Sequence, residues 1–144
     1  MKDTDPDVIV EQVYDAPPAK VWSAITEPDQ MRAWYFEEMK EFEPREGFET
    51  SFSLDHDGKT YIHTWKLIEV VPEKKIVYDW SYGGLPGRGE VVWELIPEGD
   101  GTKIKLTNGV VESFPDDDPA FKRESAIAGW TYFLQERLKE YLQE

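Results

Sequence analysis

A two-residue alternation of apolar and polar side chains runs through the middle of this chain, from residue 48 to residue 110. In one stretch, Tyr78, Trp80 and Tyr82 are separated by single polar residues. This is the period of a β-strand that buries one face and exposes the other. The alternation and the β-rich composition together predict strands at residues 48–54, 59–71, 76–82, 91–96 and 102–110.

Short turn sequences separate these strands. Asp57-Gly58 is a typical two-residue hairpin turn. Pro72 ends the second of these strands, since proline cannot continue a ladder of hydrogen bonds. A glycine-rich loop spans residues 83–89, and residues 99–101 form the last turn. Each strand is therefore expected to pair with the next one in an antiparallel meander.

Helices are predicted on both sides of this meander. A first strand at residues 8–14 is followed by Pro17-Pro18 and then by Pro28, and each proline site is typical of the first turn of a short helix. Residues 120–143 have apolar side chains at three- and four-residue spacing, which predicts a long amphipathic helix. The order predicts an α+β fold in one domain over residues 1–144, with residues 1–7 expected to be flexible.

Charge and composition exclude several functions. The 144 residues include 30 acidic and 16 basic side chains, for a net charge of −14, which opposes binding to nucleic acids and anionic lipids. Cysteine is absent, so thiol catalysis and cysteine zinc sites are excluded. No apolar run could span a membrane, and the N-terminus lacks the regions of a signal peptide. We therefore expect a cytoplasmic protein.

Aromatic residues make up 14% of the chain, a content that needs an explanation in a small acidic protein. Many of them fall on the strand and helix faces that should meet inside the fold. They form either a filled core or the wall of a cavity for a hydrophobic ligand, and patterning alone leaves both readings open. The candidate ligand-binding residues are Trp34, Phe52, His63, Trp65, Tyr78, Trp80, Tyr82, Trp93, Asn108, Trp130 and Phe133.

A set of short motifs follows one another along the chain. They are the segment 16–22, Trp34, Gly47-Phe48, the segment 70–72, Tyr78-Asp79-Trp80, the segment 91–95, Gly101-Thr102 and Gly129-Trp130. With these motifs in this order, the chain resembles the START-like helix-grip superfamily (SRPBCC). Within it, the chain is most similar to single-domain bacterial members of the family named for the activator of heat-shock protein 90 ATPase.

The resemblance implies a curved antiparallel sheet of about seven strands that grips the long C-terminal helix, with an apolar cavity between them. Eukaryotic activators carry an additional N-terminal domain that contacts the chaperone. The first strand here begins near residue 8, so this chain is not expected to supply that domain, which argues against a chaperone partner. The assembly is left open between a monomer and a homodimer.

His63 is the leading candidate for acid–base chemistry, because an unperturbed histidine titrates near neutral pH. It shares strand parity with Tyr61 and Trp65, and Tyr61 and Tyr78 are the other catalytic candidates. A structural histidine on a strand remains the alternative. No metal site is expected, because Asp55-His56-Asp57 lies at a hairpin tip, and no cofactor is expected either.

Three further features have both a structural and a functional reading. Asn108 and Arg137 lie on otherwise apolar faces, so each needs a partner in the protein or in a ligand. Arg88, in the glycine-rich loop, either meets a ligand anion or faces solvent. The sequence therefore leaves three functions open: binding of a small hydrophobic molecule, a co-chaperone-like interaction, and catalysis of the cyclase or hydrolase kind.

Overall fold

The computed structural model describes residues 1–56 and 58–143 and confirms the α+β fold. A curved antiparallel sheet of six strands packs against a long C-terminal helix, and two short helices follow the first strand. The strands are β1 (Val8–Tyr14), β2 (Glu49–His56), β3 (Lys59–Val71), β4 (Lys75–Tyr82), β5 (Arg88–Glu98) and β6 (Gly101–Glu112); the two short helices are α1 (Pro18–Thr26) and α2 (Pro28–Trp34).

The expectation of about seven strands is wrong, since the described residues form six. The order across the sheet is β1-β6-β5-β4-β3-β2, so α1 and α2 carry the chain from one edge strand to the other. Residues 35–48, between α2 and β2, form no strand. They include Pro44, which lacks an N–H group, and Gly47, which has a positive φ of 86°. This segment instead turns Met39 and Phe42 into the core.

The meander confirms the predicted pairing of consecutive strands. β2 pairs with β3 from Glu49 opposite Lys66 to His56 opposite Lys59. The Asp57 half of the predicted Asp57-Gly58 turn lies outside the described residues. The pairing of β3 with β4 shifts by one residue between Leu67 and Glu69, which is a β-bulge. A bulge increases the local bending and twist of its strand.

The C-terminal helix lies on the inner face of the sheet and consists of three segments: α3 (Arg123–Thr131), a π-helical segment (Tyr132–Arg137) and α4 (Leu138–Gln143). It begins three residues later than predicted, after a short 3₁₀ turn at Pro119–Phe121. The Tyr14 hydroxyl of β1 donates a 2.6 Å hydrogen bond to the carbonyl oxygen of Leu134 in the π-helical segment. This bond fixes the helix against one edge of the sheet. Within the described residues, no helix has the length and apolar character needed to cross a membrane.

The N-terminal residues contact the end of β6 and the helix that follows. The backbone N–H of Asp3 donates to the Ser113 hydroxyl over 2.9 Å. The Arg123 side chain donates to the carbonyl oxygens of Pro6 and Asp7 over 3.2 and 3.3 Å. These contacts bring the beginning of the chain to the same end of the molecule as the start of the C-terminal helix.

Candidate functional site

The inner faces of the sheet and of the C-terminal helix meet through aromatic rings. The Trp130 ring lies edge-on to Trp80 of β4 and Trp93 of β5, with 5.7 Å between ring centroids in both pairs. Phe133, one turn further along the helix, lies 5.2 Å from Phe36. The even-numbered aromatic residues of β4 therefore face the helix, as the two-residue alternation predicts.

Five of the candidate ligand-binding residues lie in the filled core and line neither of the two pockets described below. Trp65 is representative, because its ring makes stacked contacts with Tyr35, at 5.6 Å, and with Tyr78, at 4.8 Å. The Trp34 indole N–H donates to the carbonyl oxygen of Ala24 over 2.8 Å. The five residues are Trp34, Phe52, Trp65, Tyr78 and Trp93.

Tyr78, one of the catalytic candidates, has an enclosed hydroxyl group. This hydroxyl accepts a 3.0 Å hydrogen bond from the Trp93 indole N–H and shares a 3.2 Å hydrogen bond with the Tyr35 hydroxyl. Burial raises the pKa of Tyr78 well above its usual value. The group therefore stays protonated at neutral pH, and its partners are structural.

A first pocket of about 190 Å³ lies beneath the start of the C-terminal helix, between α3 and strands β4 to β6. Its wall combines aromatic rings with small residues of the helix. It contains five of the candidate ligand-binding residues, namely Trp80, Tyr82, Asn108, Trp130 and Phe133. It also contains Met1, Phe36, Gly89, Phe114, Ala120, Phe121, Lys122, Ser125, Ala126 and Gly129.

Two polar groups in this wall differ in how they are satisfied. Asn108 accepts a 3.2 Å hydrogen bond from the Trp130 indole N–H and donates a 3.4 Å hydrogen bond to the carbonyl oxygen of Glu90. The Trp80 indole N–H is buried, and within the described residues it has no hydrogen-bond partner. The Tyr82 hydroxyl interacts with it electrostatically, but no hydrogen bond of normal geometry joins the two groups.

A second pocket of about 470 Å³ adjoins the first on the side of β2 and β3. Tyr61, His63 and Tyr82 project into it from β3 and β4, and Asp55 and His56 come from the end of β2. The helix side of its wall is formed by Ser125, Ala128 and Gly129, and the remaining lining residues are Leu54, Ala120 and Phe121. It is therefore the more polar of the two pockets.

His63 points inward and is surrounded by aromatic rings. Its ring is stacked on Phe52, with 5.1 Å between centroids, and lies 4.9 Å from the Tyr82 ring and 5.4 Å from the Trp80 ring. Burial lowers the pKa of His63 to about 4, so the imidazole is neutral at pH 7. Its buried Nδ1 atom has no hydrogen-bond partner in the described part of the chain.

Tyr61 links β3 to the loop before the C-terminal helix. Its hydroxyl donates a 2.8 Å hydrogen bond to Asp118, whose carboxylate also lies 3.5 Å from the Lys59 ammonium. The backbone N–H of Ala120, the Tyr61 hydroxyl and Lys59 lower the pKa of Asp118. Asp118 is thus a helix-capping and cross-linking residue. Among residues 1–56 and 58–143, no three His, Asp or Glu side chains are arranged to hold a metal ion.

The two arginines that the sequence singled out have partners within the protein. The Arg88 guanidinium lies 2.8 Å from the Asp79 carboxylate. The Arg137 guanidinium donates a 2.9 Å hydrogen bond to the carbonyl oxygen of Ala33. The structural reading therefore accounts for the position of each of these side chains.

Sequence reasoning missed several residues that complete the pockets. Phe114 and Phe121 lie between β6 and the C-terminal helix, where no two-residue or helical period predicts which way a side chain points. Ser125, Ala126 and Gly129 are small residues on the first turns of α3. The sequence feature that marks them is the lack of large side chains on these helix turns. It indicates a pocket only when the position of the helix on the sheet is known.

Solved structures share this fold over nearly the whole chain. Protein CV1439 from Chromobacterium violaceum is 22% identical with a TM-score of 0.79, over 96% of this chain and 97% of that one. CalU16 from Micromonospora echinospora is 27% identical with a TM-score of 0.70, over 95% of this chain and 74% of that one. The Aha1 dimer from Colwellia psychrerythraea is 17% identical with a TM-score of 0.71, over 96% of each chain.

A comparison with curated proteins gives no match. The model of the family described as Activator of Hsp90 ATPase homolog 1-like protein matches residues 15–143, which run from the end of β1 to the last helical turn. The match and the six-stranded sheet around the C-terminal helix confirm the resemblance found in the sequence. The chain therefore belongs to the family of Activator of Hsp90 ATPase homolog 1-like proteins.

Proposed function

We propose that this protein binds a small, largely apolar ligand with a planar ring system in the first pocket. The observation that carries the proposal is the composition of the wall, in which rings from separate parts of the chain bound a space that they do not fill. Phe36 comes from the segment after α2, Trp80 from β4, and Trp130 and Phe133 from the C-terminal helix. Aromatic faces and edges of this kind suit a planar, apolar ligand.

The volume limits the size of this ligand. Pockets for drug-sized molecules usually enclose about 300–1,000 Å³. At about 190 Å³, the first pocket suits a body no larger than a fused pair of six-membered rings. A larger ligand would extend beyond it.

The Trp80 indole N–H supports a ligand that carries a hydrogen-bond acceptor. A buried donor without a partner costs about 1–3 kcal/mol. The acceptor of a bound ligand would supply the missing partner after a small shift of the surrounding rings. The other indole of the wall, that of Trp130, is already bonded to Asn108 and offers no such group.

The test uses 2-naphthol, a planar two-ring molecule with one hydroxyl group, titrated into the protein by calorimetry and by quenching of tryptophan fluorescence. We expect one saturable site. Trp80→Phe keeps an aromatic ring and removes the N–H, so it should weaken binding about fivefold. Trp22→Phe is the matched control, because Trp22 lines neither pocket and its replacement should leave the affinity unchanged. Absence of saturable binding to the wild-type protein would overturn the proposal.

The family description favours stimulation of the ATPase of an Hsp90-type chaperone as a second candidate function. The observation behind it is the match over residues 15–143, which covers the two short helices, strands β2 to β6 and the C-terminal helix. The measurement is the steady-state ATPase rate of a purified bacterial Hsp90-type chaperone with increasing amounts of this protein. A rate that stays at the basal level up to a large molar excess would remove this candidate, and it would leave the ligand-binding proposal intact.

A further inference from the structure

The two pockets share part of their walls. Both lie beneath the first turns of the C-terminal helix, and both contact the 3₁₀ turn that precedes it. The shared residues are Tyr82, Ala120, Phe121, Ser125 and Gly129. The pockets therefore meet in the gap between the Tyr82 ring on the sheet and Gly129 on the helix.

Gly129 is not explained by the protein alone. Its φ is not positive, so its backbone conformation is open to any residue. A Cβ atom at this position would meet nothing within 4 Å among the described residues, so no close packing requires its absence. Glycine also weakens a helix interior compared with alanine. Because Gly129 has no side chain, it leaves space above the junction of the two pockets.

We infer that the two pockets form one elongated site, in which Gly129 leaves room for a ligand to pass beneath the helix. The ligand is an uncharged molecule with an aromatic ring body in the first pocket and a hydroxyl-bearing end in the second. This inference rests on the proposed function, because it takes the first pocket as the place that holds the ring body. It adds the length of the ligand and the chemistry of its far end.

The lining of the second pocket determines that far end. His63 is neutral and has a buried Nδ1 atom without a partner in the described residues. A hydroxyl group can both donate to and accept from a neutral imidazole. Asp55 lies in the same wall and the chain carries a net charge of −14, so an anionic end group would be repelled.

The test compares two uncharged phenols of different length by calorimetry: 2-naphthol, which fits the first pocket, and trans-4-hydroxystilbene, which is long enough to reach both. We expect the wild-type protein to bind the stilbene about tenfold more tightly, since it fills both pockets. Gly129→Leu should weaken the stilbene about tenfold and 2-naphthol much less. Glu136→Leu, which adds the same side chain on the exposed side of the helix, should change neither affinity.

A second variant tests the hydroxyl end. His63→Phe keeps a ring stacked on Phe52 and removes both ring nitrogens. It should weaken trans-4-hydroxystilbene about fivefold and leave trans-stilbene, which lacks the hydroxyl, unchanged. An equal loss for both stilbenes would overturn the assignment of the hydroxyl to His63.

The outcomes separate this inference from the function on which it rests. If 2-naphthol fails to bind, the proposed function is wrong and the inference fails with it. If 2-naphthol binds but the longer phenol binds no more tightly, the elongated site is wrong and the proposed function stands. The same holds if Gly129→Leu leaves the stilbene affinity unchanged. Should Gly129→Leu fail to fold, Gly129→Ala, with an expected loss of about threefold, takes its place.

Discussion

The Trp130 indole N–H of the C-terminal helix donates a 3.2 Å hydrogen bond to the Asn108 side-chain oxygen of β6. It is a direct side-chain link between helix and sheet, and it lies in the wall of the first pocket. Asn108 in turn donates to the carbonyl oxygen of Glu90 on the neighbouring strand. Replacing either Trp130 or Asn108 therefore leaves the other residue without its partner in this hydrogen bond.

We therefore expect Asn108→Ala to lower the free energy of unfolding by about 1–3 kcal/mol, the cost of leaving the Trp130 N–H without an acceptor. Urea denaturation monitored by circular dichroism measures this loss. In the double variant with Trp130→Phe, the donor is absent too, so the two losses should not add and a coupling of about 0.5–3 kcal/mol is expected. Strict additivity of the two single losses would show that this hydrogen bond contributes nothing to stability.

The burial of His63 predicts a specific pH dependence of stability. Its pKa is about 4 in the folded protein and 6.5 in the unfolded chain, so the unfolded state binds more protons between these values. The contribution of His63 to the free energy of unfolding is therefore fully present above pH 6.5, and it is lost as the pH drops towards 4. The full difference is about 3 kcal/mol at most, from about 1.4 kcal/mol for each pH unit.

The measurement is the free energy of unfolding of the wild-type protein and of His63→Phe at intervals from pH 7.5 to pH 4. The difference between the two proteins isolates His63, because the acidic residues titrate in both. Asp118, whose pKa is lowered in the folded state, also contributes to acid unfolding. Its contribution is lost only below its usual pKa of 3.8, and the residue is present in both proteins. Parallel curves for the two proteins would mean that His63 does not titrate as the fold requires.

The Tyr14 hydroxyl anchors the π-helical segment through its 2.6 Å bond to the carbonyl oxygen of Leu134. Tyr14→Phe removes this bond and leaves a buried carbonyl group with one partner fewer. We expect a loss of about 1 kcal/mol in the free energy of unfolding. Relative to the wild-type protein, the variant should also show a larger increase in amide hydrogen exchange in the C-terminal helix than in β4 and β5. Tyr132→Phe, at an exposed position on the same helix, is the control and should have neither effect.

The strands and the inward face of this fold follow from sequence periodicity. The alternation predicts that Trp80 and Trp93 face the C-terminal helix, and their contacts with Trp130 confirm this. The expected count of about seven strands is one too high, and the segment with Pro44 and Gly47 forms an irregular loop. Periodicity identifies which face of a strand a residue occupies. Residues such as Pro44 and Gly47 indicate where the chain turns and no further strand forms.

The division between core and pocket could not be predicted in this way. Trp65 of β3 and Trp80 of β4 lie directly opposite each other in the strand pairing, yet Trp65 is enclosed in the core and Trp80 lines a pocket. The difference depends on where the C-terminal helix crosses the sheet and on where Phe121 lies. Both depend on a loop without periodicity, so no local pattern carries the information.

The gap at Gly129 gives the last prediction, which needs no ligand. Gly129→Ala places a methyl group in open space and removes the backbone freedom of glycine from the unfolded chain. We expect the variant to be more stable by about 0.5–1 kcal/mol, as for a helix interior. Thermal and urea unfolding of the ligand-free protein measure this gain. A loss of stability instead would mean that the glycine is needed by the fold, and the space above the pockets would then need no ligand to explain it.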